Sequence, residues 1–515
     1  MTLTILAALP IAGAIVLALM PRIPAAKHIA LLFALAAFAM SVVAFVRYDV
    51  DAGGYQLNEK HEWISAFGTW YSLGIDGLGL TLIMLTTILT VVCVLAAYTD
   101  RLPNPKDINA YFAWMLLLEG LALGVFSATD VFLFYILFEA TLVPLYFLIG
   151  SFGGLNRSYA AVKFLIYNLA GGLLMLAAVV GLYVVAGQNG TPTFLLSELQ
   201  GLDMGTTTER LLFCGFFIAF AVKAPLWPLH TWLPDATAAG TPATSVLLVS
   251  VIDKIGTFGM IRFCLGLFPG ASEWASPVVV VLAVISILYG ALLAVGQDDI
   301  RRLIAFVSVS HFGFIILGVF IFSKVAAVGS ALYMFNHGLS TAALFLVTGM
   351  LIAKRGSARI SDFGGAAQTA PIAAGIFLLA GLSSLSLPGL APFVSEFMVL
   401  VGTFNVSIIL GVLATITIIL AALYILWMFQ RMMTGPRRED NRGVVELSGT
   451  QLTALAPAVV LIVGLGFFPQ PLLNMLNPAM DSAMSQITKT EPEPRTVQAE
   501  TGPSDSGHTD LGGQR

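Results

Sequence analysis

The amino-acid sequence predicts an all-α, polytopic membrane protein of about fourteen transmembrane helices, built as two inverted five-helix repeats with one broken helix each. Three observations predict it. Of 515 residues, 58% are hydrophobic and only 10% charged, with a mean hydropathy of +0.90; a soluble globular protein is nearer one quarter charged. Apolar runs about 20 residues long recur along almost the whole chain, and each can cross a bilayer. Two of these runs carry clustered prolines at matching places in the two halves.

In order, the spans fall at 3–20, 29–46, 78–98, 111–128, 130–150, 159–186, 211–230, 243–266, 276–296, 301–322, 326–352, 371–402, 405–433 and 452–472. The first has no basic residue before it, and Arg22 and Lys27 follow it. A secretory signal has its charges in front, so this run reads as a retained helix with an external N-terminus. Residues 51–75 place Trp63, Phe67, Trp70 and Tyr71 between charges, which suits an interfacial segment. The net charge of −4 decides little, but its placement decides much. With the N-terminus outside, the inside loops hold Arg22, Lys27, Arg101, Lys106, Arg157, Arg301, Arg302, Lys354, Arg355, Arg359, Arg431, Arg437, Arg438 and Arg442. The outside loops hold Arg47, Lys60, Arg210 and Lys324, with Arg262 near a helix end. A missed helix near the middle would reverse this bias after it. Residues 476–515 lack the apolar content to fold and are expected to be a disordered external tail.

The seventh span reads FAVKAPLWPLHTWLPDA and the twelfth LSSLSLPGLAPFVSEF. Proline removes an N–H and clashes with the preceding turn, so breaks are expected near Pro225–Pro228 and Pro388–Pro392. Broken backbone at membrane depth survives only inside protein or beside a wet cavity. Each break falls in the fourth helix of a five-helix block, over residues 111–266 and 276–433, and an odd number of spans turns the second copy upside down. Residues 1–98 then form three leading helices and residues 452–475 a final one. The repeat rests on hydropathy and breaks, since the two blocks share no visible sequence identity.

Ionisable residues lie inside these spans: Glu119, Glu139, Lys223, Asp253, Lys254, His311, His337 and Glu396. Each costs about 2.5–3.5 kcal/mol at a bilayer centre, so together they would cost on the order of 20 kcal/mol if uncompensated. A buried hydrophilic path, most simply one for protons, explains them. Lys254 is about ten residues, roughly 15 Å, from either end of its span and too far to snorkel. Glu139 sits midway along an apolar helix and needs a proton or a cation. Glu119 precedes Gly120 and Gly124, whose spacing permits close helix approach. His311 and His337 lie among Ser308, Ser310, Asn336, Ser340 and Thr341, a polar surround that suits a relay. His230, after the seventh-helix break, and Asp253, beside Lys254, are accessory candidates; adjacent helical residues point about 100° apart and pair poorly. No GxGxxG, Walker-type loop or CxxCH is present, and Cys93, Cys214 and Cys264 lie apart in apolar runs. Nothing therefore predicts a nucleotide, haem, metal or iron–sulfur site.

LFEATLVPLYF, VKAPLWPLHTWLPDA, SVIDKIGTFGMIRF, RRLIAFVSVSHFGF, NHGLSTAALFL and LPGLAPFVSEF, in this order, resemble the antiporter-like subunit M family of proton-pumping NADH–quinone oxidoreductase (complex I). The match covers roughly residues 78–433. The resemblance implies fourteen helices in two inverted repeats and a chain of buried ionisable groups. It implies Glu139 and Lys223 as a first-block pair, Lys254 as the central lysine, His311 and His337 as a bridge, and Glu396 as the exit residue. Glu119 matches an acidic position common in the fourth helix. Asp253 departs from the commoner apolar neighbour. The resemblance further implies a bacterial cytoplasmic membrane, sister antiporter-like subunits on both sides, lipid contact, and no cofactor, metal, nucleic acid, NADH or quinone bound by this chain. A multisubunit cation/proton antiporter or a membrane-bound hydrogenase shares this ancestry and is the runner-up. An independent solute transporter would need its polar groups to converge on one midplane pocket, whereas here they spread over many helices.

Overall fold

A computed structural model of the protein describes residues 1–21, 25–100, 102, 107–190, 192–436 and 443–488. Among these, twelve helices are long and apolar enough to cross a membrane. They are α1 (Thr2–Leu19), α2 (Ala26–Arg47), α3 (Gly77–Ala97), α4 (Ile108–Ser127), α5 (Val131–Gly150), α6 (Arg157–Gln188), α8 (Pro242–Leu265), α9 (Pro269–Val295), α10 (Ile300–Phe320), α11 (Lys324–Arg355), α13 (Ile408–Met433) and α14 (Gly449–Phe467). Two broken helices complete the fourteen: α7, formed by Thr206–Lys223 and Leu233–Ala239, and α12, formed by Pro371–Ser384 and Ala391–Val406.

Burial sorts these helices. The most apolar stretches of α8 and α10 are wholly enclosed by protein, and that of α11 nearly so. Those of α1, α2, α13 and α14 are about one third buried and leave apolar side chains for lipid or a neighbouring chain. The three most enclosed helices carry Lys254, His311 and His337.

The inverted repeat is visible in the backbone. Asp130 caps α5 by accepting from the N–H groups of Phe132 and Leu133, and Asp299 caps α10 through Arg301 and Arg302 in the same way. Asp130 bridges to Leu195 in the α6–α7 connection, and Asp299 bridges to Arg359 in the α11–α12 connection. The flanking bonds match as well: Leu196 N–H to Thr129 O and Val131 N–H to Phe194 O in the first copy, Ile360 N–H to Asp298 O and Ile300 N–H to Ala358 O in the second. The first set lies on the face that carries the N-terminus, and the second lies on the opposite face. Sequence identity hides this symmetry because only hydrogen-bonding geometry and one capping aspartate are kept.

Three readings of the sequence are refined. Residues Gln56–Ile64 and Thr69–Ile75 form an antiparallel hairpin, fastened to α5 where Trp70 N–H donates to Asp130. The tail begins later than expected: Gln470–Met484 forms a further helix, α15, whose Asp481 pairs with Lys324 at 2.8 Å. Proline is allowed early in that helix, and its apolar side covers the start of α3, where Met475 O lies against Gly77. The remainder of the expected tail, 489–515, lies outside the described residues. Finally, α8 contains two π-helical segments, Leu247–Ile252 and Met260–Leu265, on either side of Lys254. No residue pattern announces a π turn, and such turns gather at functional sites.

Candidate functional site

The two breaks use one construction. In α7, Leu226 N–H reaches back to Ala221 O at 3.0 Å, one residue further than an α-helical bond, and Leu229 N–H then bonds Leu226 O at 2.7 Å. In α12, Leu387 N–H reaches Leu382 O at 3.0 Å and Leu390 N–H bonds Leu387 O at 3.1 Å. Backbone at a break needs polar partners inside a membrane. Trp232 Nε1 donates to Val222 O at 3.1 Å, and Asn336 Nδ2 donates to Ala391 O at 2.8 Å. The first break is thus bonded by a side chain from its own connecting segment, and the second by one from buried α11.

At the first break Lys223 is fully buried. Its ammonium donates to Thr141 Oγ1 at 3.2 Å and lies 4.7 Å from the centroid of the Phe138 ring. Thr141 sits where α5 is interrupted between Ala140 and Leu142, because Pro144 has no N–H to return to Ala140 O. Glu139 is half-buried and forms no ion pair with Lys223. Its carboxyl group is turned toward α6, packed on Gly172, with Oε1 buried and without a hydrogen-bond partner. The expected pair thus occupies one neighbourhood in an open arrangement.

Lys254 begins the longest connected stretch. Its ammonium donates to Val249 O at 3.0 Å, lies 2.6 Å from His337 Nδ1, and stands 4.4 Å from the Phe312 ring centroid. The π turn before Lys254 directs the Val249 carbonyl toward that ammonium. His337 and His311 meet edge to face, with centroids 5.1 Å apart. His311 lies 5.6 Å from the Tyr333 ring, and Tyr333 OH donates to Glu396 Oε2 at 2.7 Å. Ser386 Oγ donates to the same carboxylate oxygen. Ser386 has φ of +57°, a left-handed backbone that non-glycine residues avoid, and it lies in the α12 break. Lys254, His337, His311, Tyr333 and Glu396 therefore form one buried row crossing α8, α11, α10 and α12.

The remaining three candidates belong neither to this row nor to the Lys223 contacts at the first break. Glu119 is buried beside Thr90 of α3. His230 is buried against Tyr289 and Phe306, with ring centroids at 5.1 and 6.3 Å. Asp253 is fully buried next to Lys254 and neither carboxylate oxygen has a hydrogen-bond partner. Sequence reasoning missed Tyr333, Ser386 and Thr141. Tyr333 was within reach, since it lies one helical turn before His337 and so shares its face. Ser386 and Thr141 depend on how the breaks fold. Among the described residues no cluster of three His, Cys, Asp or Glu side chains is placed to hold a metal.

The family model for NADH:quinone oxidoreductase/Mrp antiporter, transmembrane region, matches residues 128–421. The NADH-quinone oxidoreductase subunit M of Mycobacterium tuberculosis is 45% identical, over 96% of this chain and 95% of its own length. This chain belongs to the subunit M family of NADH-quinone oxidoreductase. A Rhodobacter capsulatus member is 35% identical over 93% of this chain and 95% of its own. A chain of respiratory complex I from Thermus thermophilus, solved with bound NADH, matches with a TM-score of 0.87 and 30% identity, covering 95% of this chain and all 100% of that one. A chain of the Mrp complex from Dietzia sp. DQ12-45-1b has a TM-score of 0.82 and 21% identity, covering 95% and 99%, and so shares the fold. The protein is a multi-pass membrane subunit of a respiratory complex.

Proposed function

We propose that this chain translocates protons in the membrane arm of an NADH–quinone oxidoreductase, driven by redox chemistry in other subunits and carrying no redox group of its own. The contact series Lys254–His337–His311–Tyr333–Glu396 supports this reading most directly. Each member is enclosed by protein, where an unused charge would be costly, and each can accept and release a proton. Lys254 Nζ and His337 Nδ1 are within hydrogen-bonding distance, which leaves Nε2 to pass a proton on. Buried polar atoms without a protein partner beside the row, Asn336 Oδ1, Ser340 Oγ and Ser383 Oγ, suit ordered water that completes it.

Glu139 and Lys223 form the proposed input. Lys223 rests on Thr141 and Phe138 and is the last helical residue before the break, so it is the lysine whose backbone is least fixed by helical bonding. Two ammonium groups 4 Å apart repel by about 4 kcal/mol at an effective dielectric of 20. Movement of Lys223 toward Lys254 would therefore drive a proton from Lys254 into the histidines and toward Glu396.

Orientation follows from charge. Arg301, Arg302, Lys354, Arg355, Arg359 and Arg431 share one face, and the hairpin and α15 occupy the other. The positive-inside rule makes the first face cytoplasmic, with both termini external, in a bacterial inner membrane. Neighbouring membrane-arm subunits, including sister antiporter-like chains, would cover the exposed apolar flanks beside Glu139, where Val143 and Phe147 point outward. The test is Glu139→Gln in the assembled complex. Proton pumping should fall severely while NADH oxidation by an artificial acceptor survives. Normal pumping by the assembled variant would remove Glu139 from the path.

A further inference from the structure

We infer that Asp253 is a positioning residue that serves both buried lysines, holding Lys223 and Lys254 in one charge-balanced unit across the junction of the two repeats. This rests on the proton path proposed above.

The geometry begins with two glycines. A Cβ on Gly256 would lie 2.6 Å from Ala224 N and 2.6 Å from Phe220 O, and one on Gly259 would strike the Phe220 ring. The Gly256–Gly259 face of α8 is therefore pressed directly onto the end of the first half of α7, where Lys223 is the last helical residue. Asp253 precedes Gly256 by three positions, so it lies on this face, one turn along. Lys254 points elsewhere, to His337 and Phe312 on α11 and α10. One turn of α8 thus aims an anion at the first repeat and a cation at the second.

Asp253 has no exposed surface and no hydrogen bond to either carboxylate oxygen. A carboxyl group so buried needs either a proton or cationic neighbours, and it ionises only where cations stand beside it. The basic residues placed beside this face are Lys254, next along its own helix, and Lys223, adjacent to the Ala224 backbone that meets Gly256. On the other helices packed against this part of α8, Glu119 of α4 is turned to Thr90 and His337 of α11 is engaged by Lys254. One carboxylate between two lysine-bearing segments would be an economical coupler: as either lysine loses its proton, the anion's support shifts to the other.

The experiment uses the intact complex in proteoliposomes and measures protons moved per NADH oxidised from pH 6 to 9 for Asp253→Asn, Asp253→Glu and Lys254→Met. Removing the anion should lower pumping about tenfold and move the alkaline limb of the profile to lower pH, the loss expected when a neighbouring charge worth one power of ten in proton affinity is deleted. Asp253→Glu should keep the wild-type profile. If Lys254→Met abolishes pumping while Asp253→Asn pumps normally with an unchanged profile, the inference is overturned and the path stands. If Lys254→Met also pumps normally, the path itself fails. Should Asp253→Asn not assemble, Lys223→Gln/Asp253→Asn decides. Recovery of assembly on removing the second charge supports the coupling, and no recovery overturns it.

Discussion

Gly172→Ala should disable Glu139 without touching its chemistry. A Cβ at position 172 would lie 2.5 Å from Glu139 Cδ and 2.9 Å from Oε2, with Oε1 closer still. Carbon atoms in good contact are about 3.5–4.0 Å apart, so the carboxyl group must retreat by about 1 Å. The group is the end of a flexible side chain, so α5 and α6 can stay packed and the overpacking cost stays near the lower end of about 1–3 kcal/mol. Positioning is less forgiving, because a misplacement of about 1 Å at a reacting group costs up to roughly 100-fold. Gly187→Ala is the control: it lies in the same helix, and its nearest contact, Pro192 Cγ at 3.5 Å, is ordinary. Both variants should assemble, as judged by native gel and artificial-acceptor activity. Proton uptake by inverted vesicles should fall at least about tenfold in Gly172→Ala and stay normal in Gly187→Ala. Equal pumping by the two would refute the argument that the Glu139 carboxyl group must sit against α6.

Two further outcomes follow from named contacts. Tyr333→Phe deletes a buried hydrogen bond to a carboxylate, worth about 1.5–3 kcal/mol, and so should slow proton delivery by one to two powers of ten; pumping within twofold of wild type would contradict a role for this hydroxyl. Glu446, in the loop before α14, accepts from the N–H groups of Ile372 at 2.7 Å, Ala373 at 3.0 Å and Leu447 at 2.9 Å. Burial works against its ionisation, but these bonds and Lys354 hold the carboxyl group below the usual range. The latch on α12 is thus fully present above the ordinary glutamate value of about 4.3 and is lost as pH falls through the lowered folded value. Glu446→Gln should lower the protection factors of the Ile372 and Ala373 amides at neutral pH, and acid should lower them in the wild type once intrinsic rates are allowed for; unchanged protection would show that the loop is held otherwise.

Much of the architecture was legible because a bilayer leaves few alternatives. Span length, alternating loop charge and clustered prolines each report a constraint imposed by lipid, and both breaks fall where Pro225–Pro228 and Pro388–Pro392 place them. Buried charges were equally legible, since Lys254 or His311 in an apolar run advertises its own cost. What could not be read was local backbone geometry. The π turns around Lys254 and the left-handed Ser386 follow from packing between distant helices, and no short-range pattern encodes them. The hairpin at 56–75 escaped because its aromatic and charged residues suit an interface in any conformation. The open arrangement of Glu139 and Lys223 was hidden for a similar reason: spacing brings the two side chains near each other, but Gly172 and Thr141 decide where each one rests.

The central claim is that protons cross through the row that Lys254 begins. The direct measurement is proton translocation per NADH oxidised by the purified complex with Lys254→Met, a change that keeps side-chain length and removes the ionisable group. The account predicts an assembled enzyme with intact artificial-acceptor activity and a clearly reduced proton yield. A Lys254→Met complex that pumps with the wild-type yield would contradict it.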